Sequence, residues 1–432
     1  MRLKGRVAKS VILFAWVWHG HVCAGVPAPA ARDFTLNDAL SIAVELNSDI
    51  TAAKAALQVA RAQSLSAQAR PNPQLNLQTF NINHQLGVGA GNLSDKTVDS
   101  TIQISQLIER GQKRQIRSEA ADYLIQAAEN DLRSTTRRVK QAVADSYFDL
   151  KAASDALTLS RELESLAENN LKLAQLRVKA GDLSGAELQR VQVDTYQAHN
   201  DSSAAQDDLN IKRDAFLRLI GMANQPGNLR LAQPWPSKVD SPSGENQQDT
   251  PEQPEVEAAK DRLKAASKAV ELSKALRTRD ITLAVQYEHY PTSPSNMQGS
   301  GNSVGVAVQF PLFVWYDYDG EILAAQAVQN QLEEDAQRIR AESSADVNLA
   351  QSRVESTAVR LANYHNDIVP AARKSLESVE YAFKQGAAGA TELLDARRTY
   401  KQTQSGEIAA QADYAKALER LRLFSTMDEK TP

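Results

Sequence analysis

The sequence is poor in the residues that fill and connect ordinary globular domains. Of its 432 residues only 6% are aromatic, and there are 19 glycines and 15 prolines. A large multi-domain enzyme usually has more aromatic side chains in its cores and more turn residues between its elements. The abundance of Ala, Leu, Gln, Glu, Lys and Arg is instead typical of long helices packed through small and medium side chains.

Cysteine and positive charge are also scarce. Cys23 is the only cysteine and the formal net charge is −4. The charge leaves no basic surplus for nucleic acid, which needs a clustered positive face. Beyond residue 30 no stretch reaches the roughly 18 consecutive apolar residues of a membrane-spanning helix. If the chain is exported, as the next paragraph predicts, three locations stay open: the periplasm, the exterior, or an outer-membrane barrel.

The first residues have the pattern of an export signal. Four basic residues precede a short apolar run at 11–18, and small residues follow at Val22 and Ala24. We therefore predict a signal peptide over residues 1–24, with an alternative cleavage as late as residue 30. Cys23 sits in a poor lipoprotein sequence, so it is either an incidental cysteine of a discarded signal or a lipid attachment site.

The rest of the chain is built twice. Residues 101–220 match residues 306–425 at one ungapped offset of 205 positions, which pairs for example Arg133 with Arg338. Matches over this length at a single offset indicate a duplicated unit. The predicted divisions are a first repeat at 31–220, a linker at 221–253 and a second repeat at 254–427.

Each repeat has the same predicted elements: a helix, two strands joined by a polar loop, and a very long helical hairpin. Strict alternation of apolar and polar residues marks the strands, and long stretches without breakers predict coiled-coil helices. The first helix is predicted to run unbroken over 36–70. The predicted strands span 73–83, 98–109, 280–290 and 302–314, and the predicted hairpin tips lie at 180–185 and 385–390. The fold class is therefore mainly α with a small β part.

The number of strands limits what the sheet can do. Strands of about ten residues are long enough to cross a bilayer. Four strands cannot close a barrel, because the smallest stable barrels have about eight, and open edges in lipid are costly. The strands therefore either form a soluble sheet or are pooled by several chains, and three chains would supply twelve.

Aromatic residues are concentrated after the last predicted strand. The cluster consists of Phe310, Phe313, Trp315, Tyr316 and Tyr318. Aromatic girdles mark the boundary between lipid and water, so the cluster is predicted to lie at a membrane interface. The alternative is a packing plug between strand and helix.

The ordered set of motifs resembles the outer-membrane factors of tripartite efflux pumps, the TolC-like channels. The motifs are Pro71-Asn72-Pro73, Gln106-Leu107-Ile108-Glu109 with Gly111-Gln112-Lys113-Arg114, Phe310-Pro311-Leu312-Phe313, and Ile368-Val369-Pro370-Ala371-Ala372. The resemblance covers nearly the whole mature chain. The short length and the segment from Glu109 to Arg114 look most like the heavy-metal branch, the cobalt–zinc–cadmium or copper–silver exporters.

The resemblance implies a homotrimer with a twelve-stranded barrel in the outer membrane of a Gram-negative bacterium and a coiled-coil α-barrel in the periplasm. It implies a periplasmic adaptor protein and an inner-membrane RND-type transporter as partners. The expected function is a passive export duct for heavy-metal cations, without enzyme activity or cofactor. Two alternatives stay open: a duct for organic drugs, and a periplasmic coiled-coil adaptor or scaffold.

Two acids beyond the second hairpin tip are the sharpest candidates for a functional site. Glu392 and Asp395 are three positions apart on a predicted helix and so share one face. In a trimer they would form two stacked carboxylate rings at the periplasmic entrance, and such rings favour cations. The alternative is that they are ordinary acids near a helix start. Glu187 is the counterpart of Glu392 but is followed by Arg190 where Asp395 would be expected.

The tips are predicted docking points. They comprise Gly181, Asp182, Leu183, Ser184, Gly386, Ala387, Ala388 and Gly389. Glycine is needed to reverse a coiled coil, and the resemblance implies that the same tips contact adaptor hairpins. The family's gate often uses Tyr and Arg near the tip. Those positions are Phe383 and Ala388 here, so the polar latch is expected to differ or be absent.

The four histidines beyond the predicted signal peptide give no sign of a metal site. His84, His199, His289 and His365 are far apart in the sequence and lack ligand-spaced partners. We also find no nucleophile or paired-acid motif typical of an enzyme. Neither a metal site nor a catalytic residue is expected.

Overall fold

The chain is mainly helical with one small antiparallel sheet, as the sequence predicts. The computed structural model describes residues 32–80, 82, 98–223, 229–236, 252–292, 297–299 and 301–425. The predicted signal peptide, Cys23 and His84 lie outside these residues. No helix in the described part of the chain is both long enough and apolar enough to cross a membrane.

Each half of the chain supplies two strands of the main sheet and one long helical hairpin. The first half contains β1 (Arg32–Phe34), α1 (Leu36–Leu46), α2 (Ser48–Gln68), β2 (Gln74–Phe80), β3 (Asp99–Ile108), α3 (Lys113–Ala180) and α4 (Gly185–Leu219). The second half contains β4 (Leu229–Leu231), α5 (Pro254–Ala275), β5 (Ile281–Tyr290), β6 (Gly301–Gln309), α6 (Asp319–Asn363), α7 (Val369–Lys384) and α8 (Ala390–Ser425). A π turn over Tyr364–Ile368 joins α6 to α7.

The prediction of one unbroken helix over 36–70 is wrong, because α1 and α2 meet at Asn47. The backbone of Asn47 is extended, with φ −68° and ψ 134°. Its side-chain oxygen accepts hydrogen bonds from the amides of Asp49 (2.8 Å) and Ile50 (3.4 Å). Its side-chain amide donates to the carbonyl of Leu219 at the end of α4 (2.9 Å). Asn47 thus starts α2 as an N-cap residue and ties the bend to the first hairpin.

The main sheet has one apolar and one polar face. Its strand order is β2-β3-β5-β6 and every pairing is antiparallel. One row across all four strands consists of Leu75, Ile104, Val285 and Val306. These side chains are between 56% and 76% exposed, whereas Thr101 and Ala284 on the opposite face are buried. The apolar face is the more open one, which is the reverse of a sheet that packs on a soluble core.

Among the residues that the structure describes, the two outer strands of the sheet, β2 and β6, each have one edge without a pairing strand. The sequence pattern predicts that the last strand ends at residue 314. In the structure it ends at Gln309. Pro311 has no amide hydrogen to donate to a ladder, and the aromatic segment that follows it turns toward α6. The open edges are where another chain would have to pair for the sheet to close.

The largest core lies at mid-height, where a second, two-stranded sheet closes over α3. Strands β1 and β4 pair in parallel, and this pair was not predicted because each strand has only three residues. The Tyr147 hydroxyl donates to the carbonyl of Phe34 (3.1 Å), and the rings of Tyr147 and Phe216 meet edge to face. The indole of Trp235 stacks on Phe148. These contacts fix the start of the described chain against the first hairpin.

The sheet joins the long helices through a left-handed residue in each half. Gln112 (φ 57°) precedes α3 and Tyr318 (φ 60°) precedes α6. Lys113 is 6% exposed. Its amine donates to the carbonyl of Thr278 (2.7 Å) and pairs with the carboxylate of Asp280 (2.9 Å). The buried amine ties the base of one half to the base of the other.

Candidate functional site at the hairpin tips

The two hairpin tips lie side by side and share a small core. The core consists of Ala174, Leu183, Val191, Phe383, Ala388, Ala390 and Leu393. Gly181 (φ 85°) and Gly386 (φ 77°) reverse the chain in the left-handed conformation that glycine adopts without strain. The residue after each glycine donates its amide to a carbonyl near the end of the preceding helix. The Asp182 amide donates to the Arg177 carbonyl (2.9 Å), and the Ala387 amide donates to the Ala382 carbonyl (2.8 Å).

The predicted docking residues are not all on the surface. Gly181, Asp182, Ser184, Gly386 and Ala387 are exposed, and Gly389 is half-buried. Leu183 and Ala388 are each only 8% exposed, because both pack into the shared core of the tips. The structure thus places these two residues inside the tips and not on the surface where the sequence predicts them. A partner that approaches the tips would meet the other six residues.

Arg177 of the first hairpin caps the second. Its guanidinium lies 4.9 Å from the centre of the Phe383 ring and donates to the Phe383 carbonyl (3.0 Å) at the end of α7. A cation at this point satisfies a free helix carbonyl and is favoured by the helix dipole. Phe383 itself is fully buried. The resemblance implies a tyrosine of the polar latch at this position. Here the position is occupied by Phe383, which packs inside the tips.

Glu187 closes both helix starts at the tips. Its carboxylate accepts from the backbone and side chain of Ser184 (3.1 and 2.9 Å), which completes the capping box of α4. These hydrogen bonds, with a further one from the Ala390 amide at the start of α8, lower the pKa of Glu187. In this structure the Glu187 carboxylate therefore caps the helix starts at the tips.

Glu392 and Asp395 lie in the first two turns of α8. Both side chains are exposed, while Leu393 between them is buried in the tip core. Neither carboxylate forms an ion pair with any of the described residues. In contrast to Glu187, these two acids keep their charge available to solvent or to another chain.

A polar groove of about 480 Å³ runs between the two hairpins just above the tips. Arg397 lies at its base, 6% exposed, and binds the carboxylate of Asp194 and the carbonyl of Leu163. Burial lowers the pKa of the Arg397 guanidinium, and the charges of Asp194, Glu380 and Asp201 oppose this. The guanidinium thus links α8 to both helices of the first hairpin.

The aromatic cluster lies at the opposite end of the helices. The rings of Phe313 and Tyr318 meet edge to face at 5.3 Å, and the Arg279 guanidinium lies 5.4 Å from Phe313. Trp315 is 96% exposed. Phe310 and Tyr316 are about half exposed, at 51% and 52%. The cluster is therefore partly a packed plug and partly an open aromatic surface, and its place at a membrane interface stays a prediction.

The described histidines each bond to one side chain on a different element. The Nδ1 atom of His199 lies 2.7 Å from a carboxylate oxygen of Glu164, and that of His289 lies 2.7 Å from the side-chain oxygen of Asn302. The Nδ1 atom of His365 lies 3.0 Å from a carboxylate oxygen of Glu407. Among the described residues no three His, Cys, Asp or Glu side chains come together in a way that could hold a metal ion.

The doubled strand–strand–hairpin unit, with an apolar sheet face and paired tips, defines the class of outer-membrane channel proteins. The chain belongs to the outer membrane efflux protein family, whose profile matches residues 39–222 and 247–425. This confirms the resemblance found in the sequence. The chain is therefore an outer-membrane efflux channel and not an enzyme, and the interpretation as a periplasmic adaptor is set aside.

Particular relatives match along most of their length. The cobalt-zinc-cadmium resistance protein CzcC of Cupriavidus metallidurans is 23% identical over 380 residues, 86% of this chain and 85% of the relative. The fold is similar to that of CusC, with a TM-score of 0.76 and 19% identity over 91% of this chain and 92% of CusC. The CmeC outer membrane channel of Campylobacter jejuni also has a TM-score of 0.76, at 14% identity over 90% and 85%.

Proposed function

We propose that three copies of the chain form one continuous duct for heavy-metal cations across the outer membrane and much of the periplasm of a Gram-negative bacterium. The observation that carries the proposal is the sheet, with its open apolar face and two unpaired edges. Residues 31–220 and 254–427 would each contribute one wall segment, joined by 221–253. Pairing of β6 with β2 of the next copy would bury the edges and turn the apolar face to lipid.

The proposed duct works with an adaptor and a transporter. A duct has no energy source of its own, and the tips expose small residues and backbone that suit contact with another set of helical tips. We assign the adaptor contact to the exposed part of the tips and the energy-driven step to an inner-membrane RND-type transporter. The aromatic surface around Trp315 is assigned to the lipid–water boundary at the base of the barrel.

The proposed cargo follows from the relative matched over 86% of the chain, which is named for cobalt, zinc and cadmium resistance. Deletion of the gene should make the source bacterium more sensitive to salts of these metals, because their export route is lost. The measurement is the inhibitory concentration of each salt, with a plasmid copy as the control. Increased sensitivity to organic drugs instead of metals would assign the duct to drugs.

The exposed acids should select cations at the entrance. Glu392→Gln combined with Asp395→Asn should shift the cation-to-anion permeability ratio toward unity, because two carboxylate rings are neutralised. The ratio is obtained from reversal potentials of single channels in a salt gradient. Glu187→Gln is the matched control, since that carboxylate is engaged in capping, and it should leave the ratio unchanged. An unaltered ratio in the double variant would remove both acids from the tunnel mouth.

A further inference from the structure

The apolar face of the main sheet ends in two arginines on the side of the long helices. Ile108 and Ile281 are the last paired residues of β3 and β5 on that face. Because side chains alternate along a strand, the next positions on the same face are Arg110 and Arg279. The two chains still lie side by side there, since the Arg110 amide donates to the Asp280 carboxylate (2.8 Å). Both arginines are exposed.

The acids next to these arginines are paired with other cations. The pairs are Glu109 with Arg117 (2.8 Å), Asp280 with Lys113 (2.9 Å), and both Asp317 (3.4 Å) and Asp319 with Arg277. Neither Arg110 nor Arg279 forms an ion pair with any residue that the structure describes. Two positive charges therefore remain uncompensated where the apolar face ends.

The two charges lie opposite each other across adjacent strands. Continuing the register of Ile108 and Ile281 by two residues places Arg110 opposite Arg279, and like charges in such positions repel. The Arg279 guanidinium lies 5.4 Å from the centre of the Phe313 ring. A guanidinium that stacks on a ring keeps its in-plane N–H donors available. An anion bound to both arginines would remove the repulsion and use these donors.

An open apolar surface adjoins the arginines. Leu312 and Val314 are each 67% exposed, and Trp315 is 96% exposed. A ligand that matches this place has an anionic head and an apolar body. Strands β3 and β5 are the two central strands of the sheet, so the arginines lie away from the outer edges at which another copy would pair.

We propose that Arg110 and Arg279 bind the phosphate of a negatively charged phospholipid in the leaflet nearer the long helices. The inference rests on the proposed duct, in which the apolar face contacts lipid. The acyl chains lie along that face, and the phosphate accepts hydrogen bonds from the guanidinium groups, which suit it geometrically. Basic groups at the membrane surface favour anionic lipids. The bound lipid thereby fixes the depth of the barrel in the bilayer.

Trp315 provides a reporter for this lipid in the full-length channel. Beyond the predicted signal peptide the chain has one other tryptophan, Trp235, which stacks on Phe148 in the core at mid-height. The channel is placed in vesicles of phosphatidylcholine with a minor share of phosphatidylglycerol, and either lipid carries bromine near its head group. Bromine quenches tryptophan fluorescence on contact. We expect brominated phosphatidylglycerol to quench more strongly than an equal share of brominated phosphatidylcholine, and Trp315→Phe to abolish the difference.

Matched variants show whether the arginines cause the preference. Arg110→Gln with Arg279→Gln should lower the relative affinity for phosphatidylglycerol about fivefold for each arginine removed. Arg110→Lys with Arg279→Lys keeps the charge but not the planar fork, so part of the preference should remain. Arg373→Gln with Lys374→Gln removes two exposed positive charges from α7, away from the sheet, and should leave the preference unchanged.

The outcomes separate the lipid site from the proposed function. Equal quenching by the two brominated lipids, or a preference that survives Arg110→Gln with Arg279→Gln, overturns the lipid site and leaves the duct in place. A preference that is lost equally in the α7 control also overturns the site. If inorganic phosphate weakens the preference more than sodium chloride of equal ionic strength, the arginines bind a free anion instead. Absence of Trp315 quenching by either lipid overturns the membrane contact of the duct itself.

Discussion

Val306→Arg is expected to prevent most of the protein from assembling in the outer membrane. Val306 is 76% exposed in the single chain and lies midway along the edge strand β6, on the apolar face of the sheet. If this face contacts lipid, an arginine near the bilayer midplane costs about 2–4 kcal/mol in each subunit. The measurement is the amount of folded, heat-modifiable trimer in outer-membrane fractions.

Gln103→Arg is the matched control for this prediction. Gln103 lies on the polar face of the central strand β3, where the barrel interior would be. The same side chain at that point should be tolerated for assembly and should alter ion selectivity instead. Equal assembly of both variants would show that the apolar face is not turned to lipid.

Arg397→Met is expected to destabilise the protein by about 1–3 kcal/mol, since removing the guanidinium leaves its two acceptors without their partner. The stranded groups are the Asp194 carboxylate and the Leu163 carbonyl. Glu380 is nearby, and its buried Oε1 has no hydrogen-bond partner among the described residues. The loss is read from the denaturation midpoint of the detergent-solubilised protein.

Two further variants separate charge from packing at this point. Arg397→Lys keeps the charge but loses the fork that serves two acceptors at once, so an intermediate loss is expected. Arg397→Met combined with Asp194→Leu removes both charges and should recover part of the stability. A single Arg397→Met variant as stable as the parent protein would show that the link does not hold the hairpins together.

Sequence periodicity predicted the repeated architecture because local signals and long-range packing agree there. Alternation in residues such as Val304, Val306 and Val308 is enough to mark a strand and its apolar face. The break at Asn47 was missed, although asparagine is a strong N-cap residue, because its decisive partner is the distant Leu219 carbonyl. The short β1–β4 pair was missed because three residues carry no period.

The tip site was predictable in place but not in detail. Gly181 and Gly386 indicate the turns, because glycine adopts a left-handed backbone conformation without strain. The inward packing of Leu183 and Ala388 depends on the neighbouring hairpin, which the sequence does not show. The capping by Arg177 and the link through Arg397 also join residues about two hundred positions apart. A useful signal was present in the repeat itself, since Arg177 and Arg397 have no charged counterparts at the matching offset.

The open apolar face also bears on how the protein reaches its destination. A lone folded chain would carry ten or so exposed aliphatic side chains on its sheet, together with two edges ready to pair with any extended strand. Such a species would aggregate in water, so its free lifetime in the periplasm has to be short. We therefore expect the sheet to fold, the subunits to associate and the barrel to insert into the bilayer in one coupled event. Chaperones would hold the chain until β6 of one copy pairs with β2 of the next.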